Sequence, residues 1–251
     1  MGRRTRKRRE KRKPTKASRR PRYWGILTGT AAAAVAAIVL ILLALAPWES
    51  DGEGTPLQFI TPTPRPADIP RQGFTLGNPD APLTIVEYTD FQCTFCASVA
   101  REILPQIEEE YVATGKAKLV CKHVAFLGDE SQWAAEAADC ANEQEKFWEY
   151  YDILFANQAE RHNAGAFSKV RLKAFAEALG LDTSSFNACL DEGKYINDVA
   201  ATNLEAKRRQ VNSTPTFFVG QTKLEGAKSY AEFKKAIDDE LAKLGGTPEA
   251  E

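Results

Sequence analysis

Cys93 and Cys96, in Asp90-Phe91-Gln92-Cys93-Thr94-Phe95-Cys96, are the residues whose type and spacing point most directly to chemistry. Two thiols with two residues between them can close a disulfide, exchange it with another, or form half of a tetrahedral zinc site. A structural zinc site needs two further ligands at comparable spacing. The sequence has no second Cys-x-x-Cys, and its two histidines, His123 and His162, stand alone. Both read as structural or exposed, and no metal is expected. A plain structural bridge would not need the position these cysteines occupy. Leu83-Thr84-Ile85-Val86-Glu87-Tyr88, β-branched and apolar, predicts a buried strand before them. Val99, Ala100, Ile103, Ile107 and Tyr111, apolar at helical spacing, predict a helix after them. At such a junction unpaired N–H groups and the positive end of the helix dipole stabilise a thiolate. Cys93, nearer the exposed tip, is the expected nucleophile, and Cys96, one turn into the helix, the resolving thiol.

The elements that must hold this junction follow in order. Pro105 predicts a kink inside the helix, and Thr114-Gly115 ends it. Lys118 to Val124 reads as a second strand, so that strand, crossover helix and strand form a right-handed unit with parallel strands. From about 130 to 211 the pattern is helical, and its aromatic stripes read as core. One stripe is Ala134, Ala137, Ala138 and Ala141; a heavier one is Phe147, Trp148, Tyr151, Leu154 and Phe155. Val170, Phe175, Ala178 and Leu179 give another, closed by Gly180, and Asp182 caps a helix carrying Phe186, Cys189 and Leu190. Ser213-Thr214-Pro215 then leads into the strand Thr216-Phe217-Phe218-Val219, and Lys223 to Gly226 suggests a short neighbour. A last helix starts at Ser229, with Glu232 completing a capping box and Tyr230, Phe233, Ile237 and Leu241 on one face.

The net charge of −1 conceals an asymmetry: residues 1–22 hold 13 of the 33 basic residues and one acid. Gly25 to Ala46 is an uncharged run of 22 residues rich in Ala, Leu, Ile and Val. As a helix it is about 33 Å long, enough to cross a bilayer. Tyr23, Trp24 and Trp48 flank it as interfacial anchors, and residues 23–48 are taken as a signal-anchor span in the lipid bilayer. The basic tail then reads as positive-inside and not as a nucleic-acid arm. The N-terminus is cytoplasmic, and the rest of a single-pass cell-membrane protein lies outside. Ala44-Leu45-Ala46 has the form of a cleavage site, but Pro47 would follow the cut, which favours an uncleaved anchor. Residues 49–72, with Pro56, Pro62, Pro64, Pro66 and Pro70, predict an extended linker able to hold the fold up to about 60 Å from the membrane. The folded domain is placed at 73–246.

Phe91-Gln92-Cys93-Thr94-Phe95-Cys96 and Thr214-Pro215-Thr216-Phe217-Phe218-Val219, with Ala138-Asp139-Cys140 followed by Lys146-Phe147-Trp148, resemble motifs of a known family. It is the DsbA-like branch of the thioredoxin superfamily, the DsbA/BdbD type with a helical insert. The resemblance runs from about Gly73 to Leu244. It implies an α/β thioredoxin fold with an inserted helical domain, here preceded by one N-terminal transmembrane helix. The activity implied is that of a thiol:disulfide oxidoreductase, oxidising cysteine pairs of exported proteins through a Cys93–Cys96 disulfide. An isomerase or reductase on the same fold, and a tethered peptide-binding holdase using aromatics near Phe91 and Phe217, are the alternatives. Partners implied are reduced exported proteins and a membrane quinone-linked oxidase of the DsbB or vitamin K epoxide reductase type. No cofactor is implied.

The resemblance also assigns residues. Glu87 matches a buried acid six residues before the first cysteine, whose raised pKa would let it accept the Cys96 proton; the alternative is an acid at a solvated strand end. Pro215 matches the family's cis-proline, with Thr214, Phe91 and Phe95 as substrate-binding candidates. Cys121, Cys140 and Cys189 allow three single pairings. Relatives bridge positions like Cys140 and Cys189, which leaves Cys121 as a buried free thiol. Thr94-Phe95 departs from the Pro-His or Pro-aromatic pairs of this branch and places no imidazole beside the thiolate.

Overall fold

The computed structural model describes residues 57–245; the basic tail, the expected span at 23–48 and the start of the linker lie outside the described residues. Among the described residues no helix is long and apolar enough to cross a membrane.

Six strands form one sheet: β1 (Arg71–Gln72), β2 (Thr75–Leu76), β3 (Leu83–Thr89), β4 (Ala117–His123), β5 (Thr216–Val219) and β6 (Thr222–Glu225), in the order β1-β2-β4-β3-β5-β6. The central strand β3 pairs parallel with β4 and antiparallel with β5. Its register sets Glu87 beside Cys121 and Thr89 beside His123. Since in-register neighbours present side chains to the same side, these four polar residues share one buried face of the sheet. The β1–β2 hairpin had no sequence signal, because strands of two residues are too short to show alternation.

The helix after the cysteines is interrupted, as Pro105 requires. Segment α1 (Thr94–Ser98) passes into a π-helical turn at Val99–Ile103, then α2 (Leu104–Ile107), then a second π turn at Glu108–Val112. Proline lacks an N–H and its ring crowds the carbonyl four residues back, and the wider turn before Pro105 gives that ring room. Gly115, at φ +73°, ends the run with its N–H 3.0 Å from the Val112 carbonyl.

Five helices fill the insert: α3 (Asp129–Asn142), α4 (Phe147–Ala156), α5 (Lys169–Ala178), α6 (Thr183–Glu192) and α7 (Ile196–Arg208). Helix α8 (Tyr230–Gly245) closes the chain, with the Ser229 N–H donating to Glu232 at 2.9 Å as the capping box predicts. Helix α4 is apolar nearly all round. Phe147, Trp148, Tyr150, Tyr151, Ile153, Leu154 and Phe155 are all buried, so it wedges between the active-site helix and the rest of the insert. Helix α5 corrects one expectation. Val170 is 69% exposed, and the inward stripe is Leu172, Phe175 and Ala176, one helical face further round. Cys140 of α3 is bridged to Cys189 of α6, while Cys121 is free and buried.

The proline-rich segment, expected to stand free as a linker, lies against the domain over 57–70. Phe59 packs edge-on to Phe175 with ring centroids 5.2 Å apart, and Ile69 is buried. Ile60 exchanges two hydrogen bonds with the Asn157 amide, at 2.6 and 2.7 Å. Arg65 provides the strongest reason for docking. Its guanidinium forks onto Asp152 at 2.7 and 2.8 Å, pairs with Glu108, and lies 5.0 Å from the Trp148 ring. Burial pushes the guanidinium pKa down, but Asp152 and Glu108 outweigh it and carry the pKa above its ordinary value. Composition could not show that the proline run carried the cation for a buried carboxylate, Glu108, and a part-buried one, Asp152. Arg65→Met leaves both carboxylates unpaired, with an expected loss of about 3 kcal/mol of stability at neutral pH. Urea denaturation of the full chain checks this, and a loss below about 1 kcal/mol, the size of a surface pair, contradicts it.

Candidate active site

The junction is held by a carboxylate that sequence reasoning passed over. Asp90, the first residue after β3, is fully buried and accepts four hydrogen bonds. Its Oδ1 takes the Gln92 N–H at 2.8 Å and the Ser131 hydroxyl at 2.7 Å; its Oδ2 takes the N–H groups of Phe126 and Leu127 at 2.7 and 3.2 Å. One side chain therefore fastens the cysteine loop to the loop after β4 and to the first insert helix. Burial raises its pKa, and these four donors oppose the rise. The Asp-x-Gln spacing, an Asx turn leading into a helix, was the available signal. Gln92 adds a second fastening: its amide donates to Ser131 at 3.0 Å and accepts the Asn163 N–H at 2.6 Å.

On this frame Cys93 is the N-cap of α1, at φ −74° and ψ 117°. Its sulfur takes the place of the usual Ser or Asp oxygen and accepts the Cys96 N–H at 3.4 Å. The protonated Cys93 thiol points to the Thr214 carbonyl, 3.2 Å away, beside the cis Thr214–Pro215 peptide. The Cys96 thiol donates to the Cys93 sulfur, and with the Thr214 side chain and the Cys96 and Phe95 N–H groups it lowers the Cys93 pKa to about 6, against the desolvation that raises it. Cys96 is wholly buried. Desolvation, then the neighbouring Cys93, holds its pKa well above the ordinary thiol value. One sulfur is anionic near neutrality and the other keeps its proton.

Glu87 is buried on the same sheet face. Desolvation raises its pKa from 4.5 to about 7, although the Tyr151 hydroxyl donates to both carboxylate oxygens at 3.1 and 3.2 Å. No hydrogen bond joins it to Cys96 among the described residues.

The structure divides the aromatic candidates. Phe95 is 67% exposed beside the cysteines, but Phe91 is fully buried, its ring 5.2 Å from Phe155 and 5.9 Å from Tyr151. Phe91 is therefore a core residue, corrected from its place among the substrate contacts. The reason is register: the chain turns at Asp90 and points the next side chain inward. Phe217, the other aromatic considered for peptide holding, is also buried, against Phe233. His123 is buried and paired with Asp139 at 3.0 Å, whereas His162 is exposed.

Two measurements follow from these protonation states. Alkylation of the fully reduced chain modifies Cys93 first, with a rate that follows titration at about pH 6; faster labelling of Cys96 reverses the assignment. For Glu87, the folded pKa lies above the unfolded one. Its stability contribution is therefore complete below about pH 4.5 and is lost as pH rises through about 7. Glu87→Gln should flatten this part of the profile and gain about 3 kcal/mol on its alkaline side by urea denaturation. An unchanged pH dependence refutes the buried-acid description.

A family model described as thioredoxin matches residues 71–239. The probable disulfide bond formation protein D of Bacillus cereus is 30% identical over 172 residues, 67% of this chain and 79% of that protein. The Na(+)/H(+) antiporter NhaA 3 of Salinispora tropica is 32% identical over 186 residues, 72% of this chain; the match spans only 26% of the antiporter. Among solved structures, oxidised BdbD from Bacillus subtilis superposes with a TM-score of 0.64 at 25% identity, covering 68% of this chain and 93% of that one.

Proposed function

This chain belongs to the thioredoxin family, in its DsbA-like branch of thiol:disulfide oxidoreductases, and from that premise we propose that it is a membrane-anchored oxidase of cysteine pairs in exported proteins. The observation that carries the reading is the asymmetry of the two sulfurs: a stabilised Cys93 thiolate above a buried, protonated Cys96. A substrate thiolate attacks Cys93 of the Cys93–Cys96 disulfide, and Cys96 leaves and takes up a proton. The substrate's second thiolate attacks its own sulfur in the mixed disulfide and expels Cys93, leaving the enzyme reduced. The better a thiolate is stabilised, the more readily the pair accepts electrons. Thr214 and Pro215 with the exposed Phe95 form the peptide contact, an extended substrate lying beside Cys93.

The anchor rests on the uncharged run at 25–46 and on the basic tail that makes its cytoplasmic end. The Cys140–Cys189 bridge supports the same placement, because disulfides persist in oxidising compartments. Reoxidation falls to a quinone-linked membrane oxidase of the DsbB or vitamin K epoxide reductase type.

Equilibration of the full chain against glutathione buffers tests the direction. Reference potentials run from about −270 mV for thioredoxin to about −120 mV for DsbA. Lacking an imidazole between its cysteines, this chain should fall between them. A value at or below thioredoxin's overturns the oxidase reading in favour of a reductase. Peptide-holding activity that survives Cys93→Ser/Cys96→Ser would overturn redox function altogether.

A further inference from the structure

The carbonyl that receives the Cys93 thiol belongs to a short bend, Ser213-Thr214-Pro215, that feeds β5. Two of the three carbonyls in this bend are held by donors from outside it. The Ser213 oxygen accepts the Thr216 hydroxyl at 2.7 Å, and the Pro215 oxygen accepts the N–H of Gly226, just past β6, at 2.8 Å. The third, on Thr214, faces the Cys93 sulfur. Thr216 opens β5, opposite Tyr88 of β3 and Glu225 of β6, and is fully buried. At a packed strand position valine would fill the same volume with no hydroxyl to satisfy. The Thr216 hydroxyl instead reaches back three residues and closes a ring around Thr214 and Pro215. The residues it encloses are those that adjoin the nucleophile.

We propose that Thr216 is a positioning residue, whose hydroxyl fixes the Thr214 peptide beside the Cys93 sulfur and so sets how well an extended substrate is received there. The reason lies in the order of the peptide planes. The plane carrying the Thr214 oxygen lies between the plane carrying the Ser213 oxygen and the plane carrying the Pro215 oxygen. Two torsions at Thr214 join it to the first. At Pro215 the ring locks one of the two torsions that join it to the second. With both flanking oxygens held, the middle plane has little freedom left, and its oxygen stays aimed at the sulfur. Loss of the Thr216 bond frees the first plane and with it the Thr214 torsions. Upstream fastenings do not replace that bond. Lys223 donates to the Gln210 carbonyl at 2.7 Å and the Val211 N–H donates to the Ala206 carbonyl at 2.9 Å, which secures the chain only as far as Val211. Asn212 and Ser213 beyond it are exposed. A substrate that pairs as an added strand uses the main-chain groups of Thr214. Without the Thr216 bond it must order this residue on binding, which weakens it roughly 10-fold. A small dithiol without a backbone makes no such pairing and meets only the sulfurs.

The inference rests on Thr214 receiving the substrate of a Cys93–Cys96 redox pair, and the test keeps that reading separate. The oxidised full chain is mixed either with a short reduced peptide carrying a pair of cysteines or with dithiothreitol, and the reaction is stopped by acid and alkylation. In both cases the dithiol becomes a disulfide, and Cys93 and Cys96 become thiols. The ratio of the peptide rate to the dithiothreitol rate should fall roughly 10-fold in Thr216→Val. The fall should lie in the half-saturating peptide concentration, with the limiting rate little changed, and Thr216→Ser should restore the ratio. A wild-type ratio in Thr216→Val overturns the proposal. So does an equal slowing with both dithiols, which marks a general disturbance of the fold. Failure of the wild-type chain to be reduced by either dithiol overturns the redox reading instead, and this inference with it. Should Thr216→Val not fold, Thr216→Ala, which removes the hydroxyl and adds no bulk, decides by the same ratio.

Discussion

Two sulfurs sharing one negative charge, with donors provided for only one of them, are the constraint on which the rest of this structure depends. Cys93 sits where a helix begins, so its sulfur faces N–H groups with no partner inside the helix. Cys96 sits one turn further in, sealed from water. Moving the pair one residue along the helix would remove this distinction. The loop therefore has to be fixed, and the Asp90 carboxylate fixes it through groups contributed by three separate segments.

The helical insert takes part in this control. Helix α4 supplies Tyr151, whose hydroxyl holds Glu87, and Asp152 on the same helix fastens Arg65. Arg65 in turn lowers the Glu87 pKa by its charge, though less than Tyr151 does by its hydrogen bond. The segment before the sheet, the insert and the buried acid are thus joined through one helix turn. Loosening the N-terminal segment would alter the charge state beneath the cysteines as well as stability.

Much of this was legible in the sequence, for physical reasons. The junction of β3 and α1, the parallel crossover to β4 and the hairpin of β5 and β6 rest on long or strongly patterned signals, and their boundaries agree within a residue or two. The Asp182 cap and the Ser229 box were equally local, and both form. What could not be read was non-local. Asp90 looked like a turn residue because its four partners come from 92, 126, 127 and 131. Arg65 looked like one cation in a proline run because its carboxylates lie 43 and 87 residues away. Phe91 was misread because a single turn decides whether a residue beside a reactive cysteine faces a substrate or the core. Period-based reading sees faces of elements; it does not see where a loop side chain ends up.

Cys121 shows what burial means for a molecule whose trade is swapping sulfur bonds. A third thiol on the central sheet would ordinarily be a rival, able to capture a partner's sulfur or entangle the working pair in a wrong internal link. Here it is 1% exposed, and burial, reinforced by Glu87 alongside, keeps it protonated. Exchange proceeds only through thiolates, so this sulfur is a bystander for as long as the sheet stays closed. Fidelity of exchange in the folded chain is therefore a by-product of packing: the core that gives the domain its shape also keeps its odd cysteine out of circulation.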